Sequence, residues 1–474
     1  MGTSTDKRVF AGVLLTIWLL GQSIAVAEES RRPDNLTLAS FQFGPLNRWA
    51  FSHMREVIPT VNIPRDPTRF LVLKNSSDLV SDFSVKFQGR EQSIDHIAEQ
   101  QYIDGLLILK DGDIVFEKYY GHLKSDLPHL MNSVSKSVVA LVAGKLAAQG
   151  VIDLDKPVSH YLPELAKSGY APDSLQTVLD MQDGSDYSED YPDFTTTFRL
   201  QDCAIGWTDA DYCPENGPVG LYEFLPTVER DESKLGKFSY RSGSTNVIGW
   251  LLEAATGQPL AELISEHVWQ PMGAEFDANI TVDKGGFVLA DHGMSSTLRD
   301  LTRFGLLVLN DGTALGKEVI PAPFIQDILE QQADPNWPYP APEGYTPSYR
   351  SFWWGEGNPG GDVSGYGIHG QFVRVVPEAD LVITLYSTWP RADGDGETHG
   401  WAASAELMEA LISAFRGCAP QCLNHRRNTS CRSCAYKAIT EVKKQGSLAV
   451  RVIQQYGAIE GSIRGDINDK RGPG

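Results

Sequence analysis

Apolar and polar positions form strand-like patterns near both ends of the chain. Residues 103–121 (IDGLLILKDGDIVFEKYYG) predict two strands joined by a Lys-Asp-Gly-Asp turn. Residues 369–387 (HGQFVRVVPEADLVITLYS) predict a second hairpin around Pro377-Glu378-Ala379-Asp380. The order of these runs, with helical patterns between them, favours one antiparallel sheet that is assembled from both chain ends.

Helical spacing dominates the middle of the sequence and returns at residues 402–415. Residues 129–150 (HLMNSVSKSVVALVAGKLAAQG) pass from a turn into an apolar helix that stops at a glycine. Within residues 286–312, Ser/Thr caps and an early Asp predict another helix start. Residues 180–235 show little periodicity and predict a long, irregular insertion, a kind of segment that often builds binding sites. The predicted class is therefore α/β (α+β), with helices flanking the sheet.

The two termini differ from this body. Lys7 and Arg8 precede the apolar run Val9–Leu20, and Ala25-Val26-Ala27 has the pattern of a cleavage site. We therefore predict a signal peptide over residues 1–27, a periplasmic or secreted location, and no stable membrane span once it is removed. An uncleaved anchor is the alternative.

Residues 28–415 form the predicted catalytic domain, and residues 416–474 form a separate extension. That extension has eleven Lys and Arg against four Asp and Glu. It also holds Cys418, Cys422, Cys431 and Cys434, with His425 between the two pairs. Disulfides or a zinc site would both suit this set, and in an exported protein disulfides are the commoner outcome.

Bulk properties exclude some functions. The 474 residues carry a formal net charge of −20 and a pI near 4.9, so no broad basic face is available for a nucleic-acid partner. Cys203 and Cys213 bracket a short loop that a disulfide can close, or they remain free thiols. No His-Glu-x-x-His pattern or similar ligand pair is present, so we expect neither a metal nor a cofactor. The oligomeric state stays open.

A serine and a lysine lie three residues apart at the start of the apolar helix. Ser133 and Lys136 share a helix face, so their side chains can touch. A serine hydroxyl needs a base, and burial disfavours the charged form of lysine, which makes a buried lysine a suitable base. The helix N-terminus directs N–H groups at an oxyanion forming on the serine. The pattern alone is weak, because a capping serine and a snorkelling lysine produce it too, and Ser4-Thr5-Asp6-Lys7 repeats it.

Two further motifs follow in order. Tyr240 and Ser242 precede a second helix within FSYRSGSTNVIGWLLE, whereas the similar Tyr349-Arg350-Ser351 lies in a Pro- and Gly-rich stretch that we predict to be a loop. His369-Gly370-Gln371 begins a predicted strand, where a backbone N–H can face the nucleophile. Nearby, Trp353-Trp354 is either core or an aromatic wall of the substrate cleft.

Over residues 40–415 the sequence resembles the class C β-lactamase and penicillin-binding-protein superfamily of serine hydrolases. Within it, the chain is most similar to the 6-aminohexanoate-dimer hydrolase (nylon-oligomer hydrolase) group. The resemblance rests on the ordered blocks SVSKS, LDMQDGSDYSEDY, QDCAIGW, FSYRSGSTNVIGWLLEAATG, ITVDKGGFVLADHGMSSTLRDLTRFG and VSGYGIHGQ. It implies a β-lactamase-like fold.

The resemblance also implies roles. Ser133 becomes acylated, Lys136 and Tyr240 move protons, and Ser242 supports them. An oxyanion donor comes from the backbone of Ser133 and from the stretch His369, Gly370 and Gln371, which stands where many members have Lys-Thr-Gly.

Two positions in the insertion bear on the substrate. The resemblance implies that Tyr191 and Asp202 hold the amide and the terminal ammonium of a linear 6-aminohexanoate oligomer, although a solvated loop aspartate is the alternative for Asp202. We therefore expect an exported hydrolase of small-molecule carboxylic esters or amides. The alternatives are a penicillin-recognising D-amino-acid peptidase and a catalytically silent binding or envelope protein of the same fold.

Overall fold

The computed structural model of the chain describes residues 31–77, 83–339, 341, 345–358, 360–396 and 398–416. The signal peptide predicted over 1–27 lies outside these ranges. The extension predicted over 416–474, including its four cysteines and His425, also lies outside them except for its first residue. Within the described ranges, no helix combines the length and the apolar composition needed to cross a membrane.

The strands of the described residues belong to four sheets. In chain order they are β1 (Thr60–Ile63), β2 (Lys74–Asn75), β3 (Ser84–Phe87), β4 (Arg90–Ser93), β5 (Ile103–Lys110), β6 (Asp113–Tyr119), β7 (His129–Leu130), β8 (Ala278–Thr281), β9 (Met294–Ser296), β10 (Thr313–Ala314), β11 (Lys317–Glu318), β12 (Ser348–Arg350), β13 (Trp353–Gly355), β14 (Val363–Gly367), β15 (Gln371–Val376) and β16 (Leu381–Ser387).

The α-helices of the described residues are mostly short, and the three longest have fifteen residues each. In chain order they are α1 (Asn47–Ala50), α2 (Ile94–Gln100), α3 (Val134–Ala148), α4 (Val158–Tyr161), α5 (Leu175–Leu179), α6 (Thr197–Ile205), α7 (Leu221–Phe224), α8 (Ser242–Thr256), α9 (Leu260–Ile264), α10 (Leu298–Leu309), α11 (Ala322–Leu329) and α12 (Trp401–Phe415).

The main sheet joins the two ends of the domain. Its strand order is β12-β13-β14-β15-β16-β5-β6-β2, and neighbouring strands are antiparallel except for β2 and β6. The β16–β5 pair, with Ile383 opposite Ile108, connects the C-terminal hairpin to the N-terminal hairpin. Both predicted hairpins are thus confirmed, and so is the sheet assembled from both chain ends. A second sheet, β1-β8-β9-β7, lies beside the start of α3.

The sheet is covered on both faces, which explains the unbroken apolar run of β5. Alternate side chains of a strand point to opposite faces, so a strand buried on both sides needs apolar residues throughout. Leu107 and Leu109 pack in the cluster that contains α3 and α10, whereas Leu106 and Ile108 pack in the cluster that contains α2 and α12. Helix α3 is apolar all round because it is buried between the sheet, at β14 and β15, and the helices α8 and α9.

Two local predictions are wrong. Residues 180–235 are not irregular throughout, because α6 forms within them: the Thr196 side chain caps its start, and Gly206 ends it with a φ of 84°. Tyr349-Arg350-Ser351 is not a loop either, since Tyr349 and Arg350 belong to the edge strand β12 and Tyr349 is buried. In both cases tertiary packing supplies order that the local sequence pattern lacks.

Candidate active site

Ser133 stands at a tight turn where the second sheet meets α3. The preceding residue, Asn132, has a left-handed φ of 46°, a conformation that asparagine tolerates better than most side chains. Its side-chain amide donates to the Ile368 carbonyl at 2.9 Å, which joins this turn to the end of β14. A Cβ on Gly367 would lie 2.6 Å from the Met131 carbonyl oxygen, so the close approach of this strand requires glycine. The turn therefore holds Ser133 between a helix N-terminus and a strand end.

Lys136 lies beside the serine and is fully buried. Its Nζ donates to Ser133 Oγ at 2.8 Å and to the Asp291 carbonyl at 2.9 Å. Burial lowers the pKa of Lys136, and the negative charges of Asp291 and Glu189 oppose this only in part. The amine is thus suited to accept the proton of the serine hydroxyl.

Tyr240 completes this group of side chains. The Ser133 side chain lowers the pKa of its hydroxyl, and Lys136 Nζ lies 5.1 Å from its ring centroid. Burial, followed by the negative charge of Glu189, raises the pKa of Tyr240 well above 10. The phenol is therefore neutral at pH 7, whereas burial shifts the Lys136 amine towards its uncharged, basic form.

Ser242 begins α8, two residues after Tyr240, and contacts a different partner from the one that the sequence suggested. Its Oγ donates to Glu189 Oε1 at 3.0 Å, and its backbone N–H donates to Glu189 Oε2 at 2.7 Å. Tyr191 donates to the same carboxylate at 2.7 Å. Burial raises the pKa of Glu189, although the nearby Lys136 and these hydrogen bonds oppose that shift. Ser242 thus supports the site through Glu189, a residue that the sequence analysis missed because it lies in the acidic stretch SEDYPD.

His369 and Gly370 lie in the turn between β14 and β15 and Gln371 begins β15, and polar groups of His369 and Gln371 have partners away from Ser133. The His369 N–H donates to the Ala392 carbonyl at 2.8 Å, and its Nδ1 lies 2.7 Å from the Trp389 carbonyl. The Gln371 side chain donates to the Ser387 carbonyl at 2.7 Å. The residue just before this stretch, Ile368, contacts the Asn132–Ser133 turn directly, because its carbonyl accepts from the Asn132 side chain.

Asp202 lies on α6, not on a solvated loop. It is 1% exposed, and its Oδ2 lies 3.3 Å from Nη1 of Arg199. Its Oδ1 has no hydrogen-bond partner within the described residues. Burial raises the pKa of Asp202 to about 6, while His292 and Arg199 lower it. One oxygen of this fully buried carboxylate is thus without a hydrogen-bond partner in the described structure, and Arg199 also donates to the Tyr191 carbonyl.

A second buried carboxylate, Asp291, lies close to Asp202 and to Lys136. Its Oδ2 accepts from Gln201 at 2.9 Å and lies 2.7 Å from Nδ1 of His292. Burial raises the pKa of Asp291, but the charges of His292 and Lys136 outweigh burial and give a net lowered value. The side of the site next to the lysine is thus acidic. The sequence offered only the block LADHGM as a sign of this.

The two adjacent tryptophans differ in burial, so the core interpretation is confirmed for Trp353, whereas the cleft-wall interpretation stays a prediction for Trp354. Trp353 is fully buried and stacks on Phe304 in the core. Trp354 is only partly buried, and its ring lies 5.4 Å from that of Tyr240, with the planes 24° apart. One wall beside the proton-relay tyrosine is therefore aromatic.

Comparison with known proteins agrees with this geometry. The family model described as Beta-lactamase matches residues 91–406. The chain belongs to the β-lactamase family. It is 37% identical over 374 residues to a 6-aminohexanoate-dimer hydrolase from Paenarthrobacter ureafaciens, covering 77% of this chain and 90% of that protein. A solved structure proposed to be a 6-aminohexanoate-dimer hydrolase from Bacillus anthracis superposes with a TM-score of 0.72 at 26% identity, covering 80% of this chain and 96% of that one.

A third relative broadens the picture. Esterase EstB from Burkholderia gladioli is 24% identical over 203 residues, which is 39% of this chain and 49% of that protein. The chain is therefore a serine hydrolase of the β-lactamase family, similar to a 6-aminohexanoate-dimer hydrolase over most of its length and to an esterase over a shorter stretch. Its third motif has His369 where many members have a lysine, and burial lowers the pKa of His369 to about 4. That imidazole is uncharged at pH 7, so His369 offers no positive charge to the carboxylate of a β-lactam substrate.

Proposed function

We propose that the protein hydrolyses carboxylic esters and linear amides that carry a terminal ammonium, through an acyl-enzyme on Ser133. The observation that carries this proposal is the 2.8 Å contact between Ser133 Oγ and the buried Nζ of Lys136. A catalytically silent protein has no need to keep an amine in a site that lowers its pKa. Desolvation of such a group costs free energy, and groups with pKa values shifted in this way cluster at functional sites.

In the first half-reaction, Ser133 Oγ attacks the substrate carbonyl and its proton passes to Lys136 Nζ. The carbonyl oxygen becomes an oxyanion, which we assign to the backbone N–H groups of Ser133 and Ile368. The contact between the Asn132 side chain and the Ile368 carbonyl supports this choice, because it holds the peptide of residue 368 beside the nucleophile. Such donors typically contribute about 3 kcal/mol to the transition state.

The leaving group then needs a proton. The Lys136 ammonium delivers it through the neutral Tyr240 hydroxyl, and the bond between the carbonyl carbon and the leaving nitrogen or oxygen breaks. In the second half-reaction, a water molecule attacks the acyl-enzyme and gives its proton to the same relay, which releases the carboxylic acid and restores Ser133. An alkoxide or phenolate leaves with little help, whereas an amine must be protonated, so amide cleavage depends more strongly on Tyr240.

The charge of the site supports an amine-bearing substrate. Asp202 and Asp291 are buried carboxylates on one side of Lys136, and Asp202 Oδ1 has no partner within the described residues. A substrate ammonium would form a charge-assisted hydrogen bond with that oxygen. Tyr191 lies between this region and Glu189, in a position to contact the substrate amide. The name of the Paenarthrobacter relative, a 6-aminohexanoate-dimer hydrolase, supports the same substrate class.

We also propose that the protein acts in the periplasm or outside the cell. The signal-peptide pattern of residues 1–27 supports export. The disulfide between Cys203 and Cys213 supports it independently, because such bonds persist in oxidising compartments.

One experiment tests the central proposal. Purified protein and its Ser133→Ala variant are each offered p-nitrophenyl acetate and the linear 6-aminohexanoate dimer. We expect turnover of both substrates by the parent protein and loss of both in the variant. Turnover of the ester alone would restrict the protein to esterase activity, and unchanged turnover in the variant would contradict the role of Ser133. Stable labelling by a fluorescent penicillin would instead favour a penicillin-recognising peptidase.

A further inference from the structure

The Cys203–Cys213 disulfide lies in the insertion of residues 180–235, at the end of the helix α6 that carries Asp202. Cys203 directly follows Asp202 in the last turn of α6, and it is bonded to Cys213 across ten residues of sequence. The intervening loop begins after Ile205, buries the Trp207 side chain and returns to Cys203 at Cys213. The covalent bond therefore fixes the helix end that carries the Asp202 carboxylate.

Backbone N–H groups at the start of the same loop close the last turn of α6, which carries Asp202. The Asp202 carbonyl accepts from the Gly206 N–H at 3.2 Å and from the Trp207 N–H at 3.0 Å. The Trp207 ring lies 4.2 Å from that of His292, which neighbours Asp202, and 5.4 Å from that of Phe41. A nine-residue helix is marginal without tertiary support, and its last turn is the part most prone to fray. Loop and helix end thus depend on each other.

The nucleophile and its base depend on other elements. Ser133 and Lys136 belong to the start of α3, which is packed against the main sheet, and Tyr240 precedes α8. Lys136 donates to Ser133 Oγ and to the Asp291 carbonyl, and Lys136 Nζ lies 5.1 Å from the ring centroid of Tyr240. No hydrogen bond of these three side chains reaches residues 203–213 within the described structure. A change in the loop would therefore displace the recognition carboxylate while leaving the reacting groups in place.

We infer that the Cys203–Cys213 disulfide is a positioning element for the Asp202 carboxylate, so that recognition of an ammonium-bearing substrate requires this bond whereas acyl transfer itself does not. The inference rests on the proposed function, which assigns the substrate ammonium to Asp202. It makes Cys203 and Cys213 determinants of specificity, although neither touches the substrate.

A matched pair of substrates tests this inference. The p-nitrophenyl esters of 6-aminohexanoate and of hexanoate share a leaving group and chain length and differ in the terminal ammonium. For the Cys203→Ala/Cys213→Ala variant at pH 7.5, we expect KM for the ammonium ester to rise about tenfold. We expect kcat for both esters and KM for the hexanoate ester to stay within twofold of the parent protein. Asp202→Asn should produce the same loss, and combining the changes should add little, because both act on one interaction.

The possible results separate the inference from the function on which it rests. Equal losses for both esters would show that the disulfide serves the fold as a whole and would overturn the inference. A preference for the ammonium ester that survives in the cysteine variant but is lost in Asp202→Asn would also overturn it, and would leave the proposed function intact. The absence of any preference in the oxidised parent protein would overturn the proposed amine recognition itself.

A second measurement covers the case in which the cysteine variant does not fold. Dithiothreitol donates two electrons and two protons to the folded parent protein, forms its own cyclic disulfide and leaves two free thiols at Cys203 and Cys213. The reduced protein should show the same selective rise in KM for the ammonium ester, and reoxidation should reverse it. A reduced protein with unchanged KM values for both esters would contradict the inference.

Discussion

The region around Ser133 and Lys136 and the part of the insertion around Asp202 are built in different ways. Ser133 directly precedes a fifteen-residue helix that is packed on a two-sided sheet, and Lys136, in the first turn of that helix, has a hydrogen bond to each of two partners. Asp202 belongs to a nine-residue helix in the insertion, and a disulfide holds the end of that helix. Its carboxylate Oδ1 lacks a hydrogen-bond partner within the described residues. The difference suggests that the body of the domain fixes the chemistry while the insertion selects the substrate.

The largest effect should come from removing the base. Lys136→Ala should lower kcat for p-nitrophenyl acetate about 10³- to 10⁴-fold, because the Ser133 hydroxyl loses its proton acceptor. Lys145→Ala is the matched control, since Lys145 lies in the last turn of the same helix, and it should change kcat by less than about twofold. A similar loss in both variants, with unchanged folding by circular dichroism, would contradict a specific role for Lys136.

The next effect concerns the proton relay, and the chain contains its own comparison. Tyr240→Phe should lower kcat about 10²-fold for the 6-aminohexanoate dimer and about tenfold for the acetate ester, since only the amine must leave protonated. Tyr349→Phe changes the other Tyr-x-Ser sequence, whose ring lies 6.1 Å from that of Tyr240, and should cost no more than about threefold. Steady-state kinetics with both substrates measure this. Equal losses of kcat for the amide and the ester would show that Tyr240 does not protonate the leaving group.

A smaller effect distinguishes recognition from chemistry by pH. Because the pKa of Asp202 is raised to about 6, its carboxylate is charged above that pH and loses its charge as the pH falls through it. The ratio of kcat/KM between the ammonium and hexanoate esters should therefore fall about tenfold from pH 7.5 to pH 5. Using the ratio cancels the protonation of Lys136, which affects both esters alike. A ratio that is independent of pH would show that the Asp202 carboxylate does not bind the substrate ammonium.

The smallest expected effect is at the aromatic wall. Trp354→Ala should raise KM for the hexanoate ester about threefold and leave kcat within twofold, because the ring stacks beside Tyr240 without contacting the nucleophile in the described structure. Trp353→Ala, the buried neighbour, should instead lower the free energy of unfolding by about 3–5 kcal/mol. Kinetics and urea unfolding together check both expectations. The reverse pattern would exchange the roles of the two tryptophans.

Much of the body could be predicted from the sequence because its signals are local. The hairpins at residues 103–121 and 369–387 and the apolar helix after Ser133 follow from periodicity, turn residues and a glycine cap. The pairing of Ser133 with Lys136 follows from helical spacing alone. Each of these features depends on residues close together in the chain.

The recognition side was harder to predict because it depends on contacts between distant segments. Glu189 looks solvated in SEDYPD, yet it lies against Tyr191 and the start of α8. The burial of Asp202 depends on a helix that local periodicity does not predict. The position of the Ile368 peptide follows from a hydrogen bond to Asn132, 236 residues away in the chain. Polar residues of this kind gain their roles only when the fold removes water from them.

The central claim is that burial lowers the pKa of Lys136 and so lets its amine act as a base, and the side-chain NMR signal of this residue tests it most directly. Protein labelled with ¹³C at the lysine Cε is titrated, and the Lys136 signal is assigned as the one missing in Lys136→Ala. We predict a titration midpoint well below 10.5, the ordinary value of lysine, separate from the signals of the surface lysines. A Lys136 signal that titrates near 10.5 together with those lysines would contradict the account.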